Sequence, residues 1–215
     1  MNYKLLKINR ISYKDSVLLQ KILENKVLND NREQYILALS HNDVITTGKR
    51  GFLDTLKYDE SFYFDKKIEL IKTDRGGLAT YHGKGQLVLY FIVNLFDLKL
   101  GIKEFIDKIE DSIIEVLKNY NIDAGKISGF RGVFVDANKI AAVGMHVKHN
   151  VTTHGIALNI FTNLDNFNLF IPCGLKNKGV TSIKKELNKD VDFDEVLDML
   201  IDSVSKNLGV KIERR

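Results

Sequence analysis

The chain has 215 residues, 44% hydrophobic and 28% charged, the balance of a globular domain long enough to bury a core without covalent staples. Its single cysteine, Cys173, excludes an intramolecular disulfide and a multi-cysteine zinc or iron–sulfur site, and 15 glycines with one proline exclude collagen-like and low-complexity chains. The formal net charge is +4, and its 32 basic and 28 acidic residues are interleaved, so no basic face for nucleic acid is expected.

The elements follow in chain order. Residues 3–9 read as an opening strand. Over residues 14–27, Val17, Leu18, Ile22 and Leu23 recur at helical spacing. Residues 34–40 and 44–47 read as two strands around a His41-Asn42-Asp43 turn, followed by a loop at residues 48–51. Another strand at 68–73 runs into Arg75-Gly76-Gly77. Residues 86–95 form a near-continuous apolar run, the pattern of a strand buried on both faces. Residues 102–120 give the clearest helix, with Ile102, Phe105, Ile109, Ile113, Val116, Leu117 and Tyr120 on one stripe. Strands at 131–136, 139–147 and 152–160 come next, the first two joined by an Asp136-Ala137-Asn138 hairpin turn. A last helix at 193–208 stops at Gly209, and residues 210–213 read as a final strand. Without a repeat or linker, this order predicts one α+β (mixed α/β) domain over residues 1–215. No run approaches the ~18 apolar residues of a membrane span, and the N-terminus lacks the apolar region of a signal peptide. The expected compartment is the cytoplasm, with no membrane and no nucleic acid as partner.

Three stretches break the amphipathic pattern. Residues 75–86 hold four glycines among Arg75, Thr80, Tyr81, His82 and Gln86. Glycines let a ligand approach the backbone, and the side chains supply donors. This is no phosphate loop of the Walker type, since Gly83-Lys84 is followed by Gly85. The second stretch, Lys139-Ile140-Ala141-Ala142-Val143-Gly144 leading to Thr153-His154-Gly155-Ile156-Ala157-Leu158-Asn159, has small residues that leave room beside the backbone. The third sets Cys173 between the only proline and a glycine, a turn that suits a nucleophilic thiol more than a buried structural one. A metal site is not expected: His146 and His149, three apart on a strand, point to opposite faces.

Together these stretches resemble the lipoyl(octanoyl) transferase family of lipoate biosynthesis. The resemblance rests on Arg75-Gly76-Gly77-x-x-Thr80-Tyr81-His82-Gly83-x-Gly85-Gln86, on the Lys139 and His154 strands, on Pro172-Cys173-Gly174, and on Gly179-Val180-Thr181-Ser182. Cys173 follows Lys139 by 34 residues, as the family spacing requires. Lys84 stands where the family commonly has proline, and His41-Asn42-Asp43 where it commonly has His-Pro-Pro. The resemblance implies a mixed sheet flanked by helices, related to the catalytic domain of biotin and lipoate protein ligases. It implies transfer of octanoyl from octanoyl-acyl carrier protein, through a Cys173 thioester, to a lysine on the lipoyl domains of 2-oxoacid dehydrogenases and the glycine cleavage H protein. No cofactor or metal is implied, because a thioester is already activated.

Cys173 and Lys139 are then the catalytic pair. A free thiol with a pKa near ~8.5 is mostly protonated at neutral pH, and a nearby ammonium favours the thiolate. A second role for Lys139, relaying the proton of the incoming amine, stays open. The substrate-binding residues implied are Arg75, Gly76, Gly77, Leu78, Ala79, Thr80, Tyr81, His82, Ala142, Val143, Gly144, Gly155, Ile156 and Ala157. His82, His154 and the amides of Gly76-Gly77 are candidate oxyanion donors. The alternatives are an ATP-dependent lipoate or biotin protein ligase, and a non-catalytic binding module on the same fold.

Overall fold

The computed structural model of the protein describes residues 1–30, 32–48, 55–77, 79–171 and 179–214. Strand β1 (Asn2–Ile11) leads into α1 (Tyr13–Asn29), β2 (Glu33–His41) and β3 (Val44–Thr47). Then come α2 (Glu60–Asp65), β4 (Glu69–Lys72), β5 (Ala79–His82), β6 (Gln86–Ile92), α3 (Leu95–Leu98) and α4 (Ile102–Asn119). The chain continues through β7 (Val133–Val135), β8 (Asn138–Lys148), β9 (Val151–Asn159), a 3-10 turn (Leu164–Leu169), α5 (Ile183–Leu187), α6 (Phe193–Leu208) and β10 (Ile212–Arg214).

Seven strands form a mixed sheet in the order β10-β1-β2-β6-β9-β8-β7. The pairs β10–β1 and β1–β2 are parallel, and the remaining pairs are antiparallel. Every residue of β6 is buried, as its unbroken apolar run predicts for a central strand covered on both faces. On one face lie α4 and α6, which bury Phe105, Ile109 and Ile113 with Val196, Leu200 and Val204 against Leu87, Leu89 and Phe91. On the other lies α1, with Leu23 and Val27 over Leu37, Val88 and Tyr90. A second sheet, β4-β3-β5, carries its own smaller core of Ile45, Tyr63, Tyr81 and Phe170. Among the described residues no helix is long and apolar enough to cross a membrane.

Three expectations change. The glycine-rich connection after β4 contains β5, which pairs antiparallel to β3 from Val44↔His82 to Thr47↔Ala79; too few apolar residues mark so short a strand. The run at 86–95 ends as a strand at Ile92. Asn94 there accepts a hydrogen bond from the Phe96 N–H, 3.0 Å away, and caps α3. In α1 the buried face is Tyr13, Ser16, Gln20, Leu23 and Val27, while Leu18 and Ile22 are 59% and 48% exposed. The apolar stripe points the wrong way because this helix covers a part of the sheet where Gln20 meets the His154 N–H.

Candidate active site

Between the two sheets lies a cavity of about 470 Å³, within the ~300–1,000 Å³ typical of small-ligand sites. Sheet register lays out its long axis. Gln86 pairs with Asn159 and Tyr90 with Gly155, which in turn faces Gly144. These two rows lie four residues apart, about 13 Å at strand rise. Lys139 stands at the Asn159 end, just beyond the Ala141↔Leu158 pair. Small residues line the wall between the rows: Ala142, Gly144, Gly155 and Ala157. Gly155 is required there, since a Cβ on it would lie 1.9 Å from the Leu89 carbonyl oxygen. Val143, Met145, Ile156, Phe130, Phe167 and Phe170 make the apolar remainder.

Lys139 is held from both sides. Its N–H donates to the Gly179 carbonyl and its carbonyl accepts from the Thr181 N–H, both at 3.0 Å. The ammonium lies 5.2 Å from the centroid of the Phe134 ring, a cation–π contact. Gly132 makes room for its stem: with φ +117°, a Cβ there would meet Lys139 Cε at 3.3 Å and the Ala141 carbonyl oxygen at 2.4 Å. Buried Glu110 on α4 accepts the Gly132 N–H at 2.7 Å and so anchors the loop that brings Gly129, Phe130 and Arg131 to the cavity. Burial pushes the Glu110 carboxyl above its ordinary range, against the lowering effects of the Gly132 N–H and Arg131. Arg131 itself pairs with Asp107 at 2.6 Å and with Glu110 at 3.6 Å.

The opposite end is a buried polar cluster. The Tyr13 ring stacks on His82, with centroids 5.9 Å apart, and His41 meets His82 edge-on at 5.6 Å. His41 Nδ1 donates to the Ile11 carbonyl at 3.0 Å, and its Nε2 accepts from the Tyr90 hydroxyl at 2.7 Å. Burial pulls the His41 pKa down to about 4 and pushes Tyr13 up to about 12. His154 has φ +58°, rare for a residue other than glycine. This turns its N–H onto Gln20 Oε1, 2.7 Å away on α1, and its Nε2 onto Asp74 at 2.9 Å. The polar face of α1 thus meets polar partners. The His154 hydrogen bond holds the Asp74 carboxyl well below the usual carboxylate range.

Arg75 is 7% exposed. Its guanidinium donates to the Thr46 carbonyl and hydroxyl at 2.7 and 2.9 Å, and to the Gly76 carbonyl at 2.9 Å. It fastens the Arg-Gly-Gly segment to β3 and lends its charge to the cavity. Three lining residues are cationic (Arg75, Arg131 and Lys139), and none of the described lining residues is acidic. Such a field favours a thiolate or oxyanion over its protonated form.

Of the residues expected from the sequence, the cavity gathers Arg75, Gly76, Gly77, Ala79, Thr80, His82, Lys139, Ala142, Val143, Gly144, Gly155, Ile156 and Ala157. It does not include Tyr81. Strand alternation turns that ring into the second core, where its hydroxyl donates to Asp43 at 2.8 Å and its face meets Phe167 edge-on. Cys173 and Leu78 lie outside the described residues. Phe170 and Val180, described residues on either side of Cys173 in the sequence, line the cavity. Tyr13, Tyr90 and the loop 129–131 also line it and were not anticipated, and so does Asn159, which stands in the Thr153–Asn159 stretch without a role assigned from the sequence. Tyr13 stands in an unremarkable stretch, and its only sequence signal is a large aromatic at the start of a helix.

The model of the lipoyl protein ligase A/B catalytic domain matches residues 12–205. A relative named octanoyltransferase from Alkaliphilus metalliredigens is 39% identical over 194 residues, covering 90% of this chain and 89% of its own. Another of that name, from Dictyoglomus thermophilum, is 41% identical over 200 residues, covering 93% and 84%. Among solved structures, lipoate-protein ligase A bound with ATP superposes with a TM-score of 0.80 at 17% identity, over 100% of this chain and 89% of that one. A bi-partite lipoate protein ligase from Thermoplasma acidophilum gives 0.75 at 16% identity, over 100% and 86%. These two likenesses concern the fold; the sequence relatives place the chain more narrowly. With the family match spanning most of its length, the chain belongs to the lipoyl protein ligase A/B catalytic-domain family, on its octanoyltransferase branch.

Proposed function

We propose that the chain is an octanoyltransferase that takes octanoyl from acyl carrier protein as a thioester on Cys173 and passes it to a lysine of a lipoyl domain. The observation that carries the reading is the cavity: a small-residue channel along β8 and β9 with Lys139 at one end. Such a channel fits an unbranched acyl chain lying along the strands. Lys139 and the neighbouring cations favour the Cys173 thiolate. The thiolate attacks the donor thioester carbonyl, and the phosphopantetheine thiol leaves. The lysine amine of the lipoyl domain then attacks the enzyme thioester, an amide forms, and the Cys173 thiolate is released. Lipoyl domains of 2-oxoacid dehydrogenases and the glycine cleavage H protein are the expected acceptors, and the cytoplasm is the expected compartment. Arg75 acts as a positioning residue for the Gly76-Gly77 segment, and Tyr81 supports the fold.

A ligase reading would share the fold but need a nucleotide to activate a free acid. The two separate in one assay. With octanoyl-acyl carrier protein and a lipoyl domain, and with ATP removed by an ATP-consuming enzyme, the domain should gain octanoyl at an undiminished rate. Transfer that stops without ATP, or that proceeds from free octanoate with ATP and not from the carrier-bound thioester, would assign the chain to the ligases.

A further inference from the structure

A second cavity, of about 190 Å³, lies on the other face of the large sheet. Tyr90 and Ala157 line the first cavity and belong to the core under α1. The second is floored by Phe161, which packs against the α4–α6 core, and by Phe193 and Leu197 of α6. An irregularity in β1 gives its rim charge. Ile8 pairs with Leu39 and Ile11 with His41, so β1 uses three residues where β2 uses two, a bulge. Ile8 and Ile11 both pack on the α1 side. Asn9 and Arg10 therefore both turn to the opposite face, beside Lys7. Lys84 completes the rim from the turn before β6. Its neighbour Gly85 has φ +81°, and a Cβ there would lie 2.4 Å from the Phe161 ring, so glycine lets the turn rest on that ring.

Lys7 pairs at 2.7 Å with Asp194, the acid that lines this cavity. Arg10 and Lys84 are exposed and have no ion-pair or hydrogen-bond partner among the described residues. An apolar floor under two unneutralised cations suits an anionic surface that also presents an apolar side chain. Topology gives the cavity its place. Strands β1, β2 and β9 run one way, and β6 and β8 run the other. The C-terminal ends of β1 and β2 and the N-terminal ends of β6 and β8 thus share one edge of the sheet. Arg10, Lys84 and Lys139 all stand at that edge. At the usual strand spacing β6 lies two steps from β8, about 10 Å, and β1 four steps, about 19 Å.

Resting on the octanoyltransferase reading, we propose that this cavity docks the acyl carrier protein through an acidic segment of its surface, with carboxylates on Arg10 and Lys84 and an apolar side chain over Phe161. Reach separates the donor from the acceptor. The acceptor lysine rides on a four-carbon stem, so its domain must come directly to the Lys139 end of the first cavity. The donor's acyl group rides on a phosphopantetheine arm, which is much longer. Its protein can therefore dock on the far face while the arm passes over the sheet edge. A dock set back from Lys139 by two to four strands leaves the mouth of the first cavity to the lipoyl domain. Lys84 stands where the family commonly has proline, so a cation at this position of the rim is a feature of this chain rather than of the family pattern.

Binding and turnover are measured separately. Calorimetric titration with the carrier protein, with and without its phosphopantetheine arm, reads the surface contact apart from the chemistry. The Arg10→Glu/Lys84→Glu double variant should bind both forms at least about tenfold more weakly, with a flatter dependence on salt. In turnover it should raise KM for octanoyl-acyl carrier protein by a similar factor. Its kcat, its KM for the lipoyl domain and its transfer from octanoyl-pantetheine, a thioester without the protein, should stay within about twofold of wild type, because a rim charge governs encounter rather than chemistry. Arg10→Ala/Lys84→Ala should show a smaller loss in the same direction, and it serves if the charge-reversed protein does not fold. Unchanged carrier affinity, a loss confined to the form that bears the arm, or a raised KM for the lipoyl domain in place of the carrier would overturn the proposal. A wild-type chain that binds the carrier protein through Arg10 and Lys84 but transfers no octanoyl would keep the dock and overturn the transferase reading.

Discussion

Lys139 combines a fixed backbone with a charged tip. Its two backbone hydrogen bonds join it to Gly179 and Thr181, the residues that follow the Cys173 segment. The ammonium lies over the Phe134 ring, in a cavity whose described lining residues include no acid. Two roles were open from the sequence, charge and proton relay, and substitution separates them. Arginine keeps the charge and does not release a proton. A cavity lined by Arg75, Arg131 and Lys139 and by no acid among its described residues favours charge as the role of Lys139. Lys139→Arg should load octanoyl and transfer it within about tenfold of wild type, while Lys139→Ala should load at least tenfold more slowly, the cost of a thiolate that has lost its cation. Rapid-quench measurement of thioester formation and transfer checks both. A Lys139→Arg enzyme that loads but does not transfer would return the proton relay to Lys139, and unchanged loading in Lys139→Ala would reduce it to a surface lysine.

At the scale of the element, the sequence was readable where one physical demand dominated. Helix α4 buries Phe105, Ile109, Ile113, Val116 and Leu117, as its stripe predicts, although Ile102 at its first residue is left exposed, and β6 is buried throughout as its apolar run requires. Reading failed where two demands met. Helix α1 turns Ser16 and Gln20 inward because the sheet beneath offers the His154 N–H and other polar partners. Buried Glu110 sits within the apolar face of α4 because the Gly132 N–H needs an acceptor there. Strand β5 hid among glycines because its partners are contributed by β3 rather than by its own pattern. The departure at His41-Asn42-Asp43 has a structural use, since Asp43 accepts the Tyr81 hydroxyl. The candidate cavity residues were legible mainly through motif order, and Tyr13, which lies outside every motif, was not. Strand β9 also carries the sharpest packing demand. Gly155→Ala would drive a Cβ to 1.9 Å from the Leu89 carbonyl in the centre of the sheet. Overpacking of that kind should destabilise the fold by at least about 3 kcal/mol, read as a lower midpoint of urea unfolding. A wild-type midpoint would mean that β6 and β9 separate more easily than their register suggests.

At the scale of the whole molecule, two cores of different size support one cavity. The seven-stranded sheet with α4 and α6 supplies a rigid wall bearing Lys139, and the β4-β3-β5 sheet holds the Arg75 segment and His82 against it. This fold also serves proteins bound with ATP, so architecture alone does not choose between activating a free acid and exchanging a thioester. The choice rests on the cysteine. Intact-mass spectrometry of the protein after mixing with octanoyl-acyl carrier protein in the absence of ATP tests that point most directly. The account predicts one octanoyl adduct per chain, mapped to Cys173, released by a lipoyl domain and absent in Cys173→Ala. Octanoyl transfer to the lipoyl domain at the wild-type rate by Cys173→Ala, with no octanoyl adduct on either the wild-type or the variant enzyme, would contradict it.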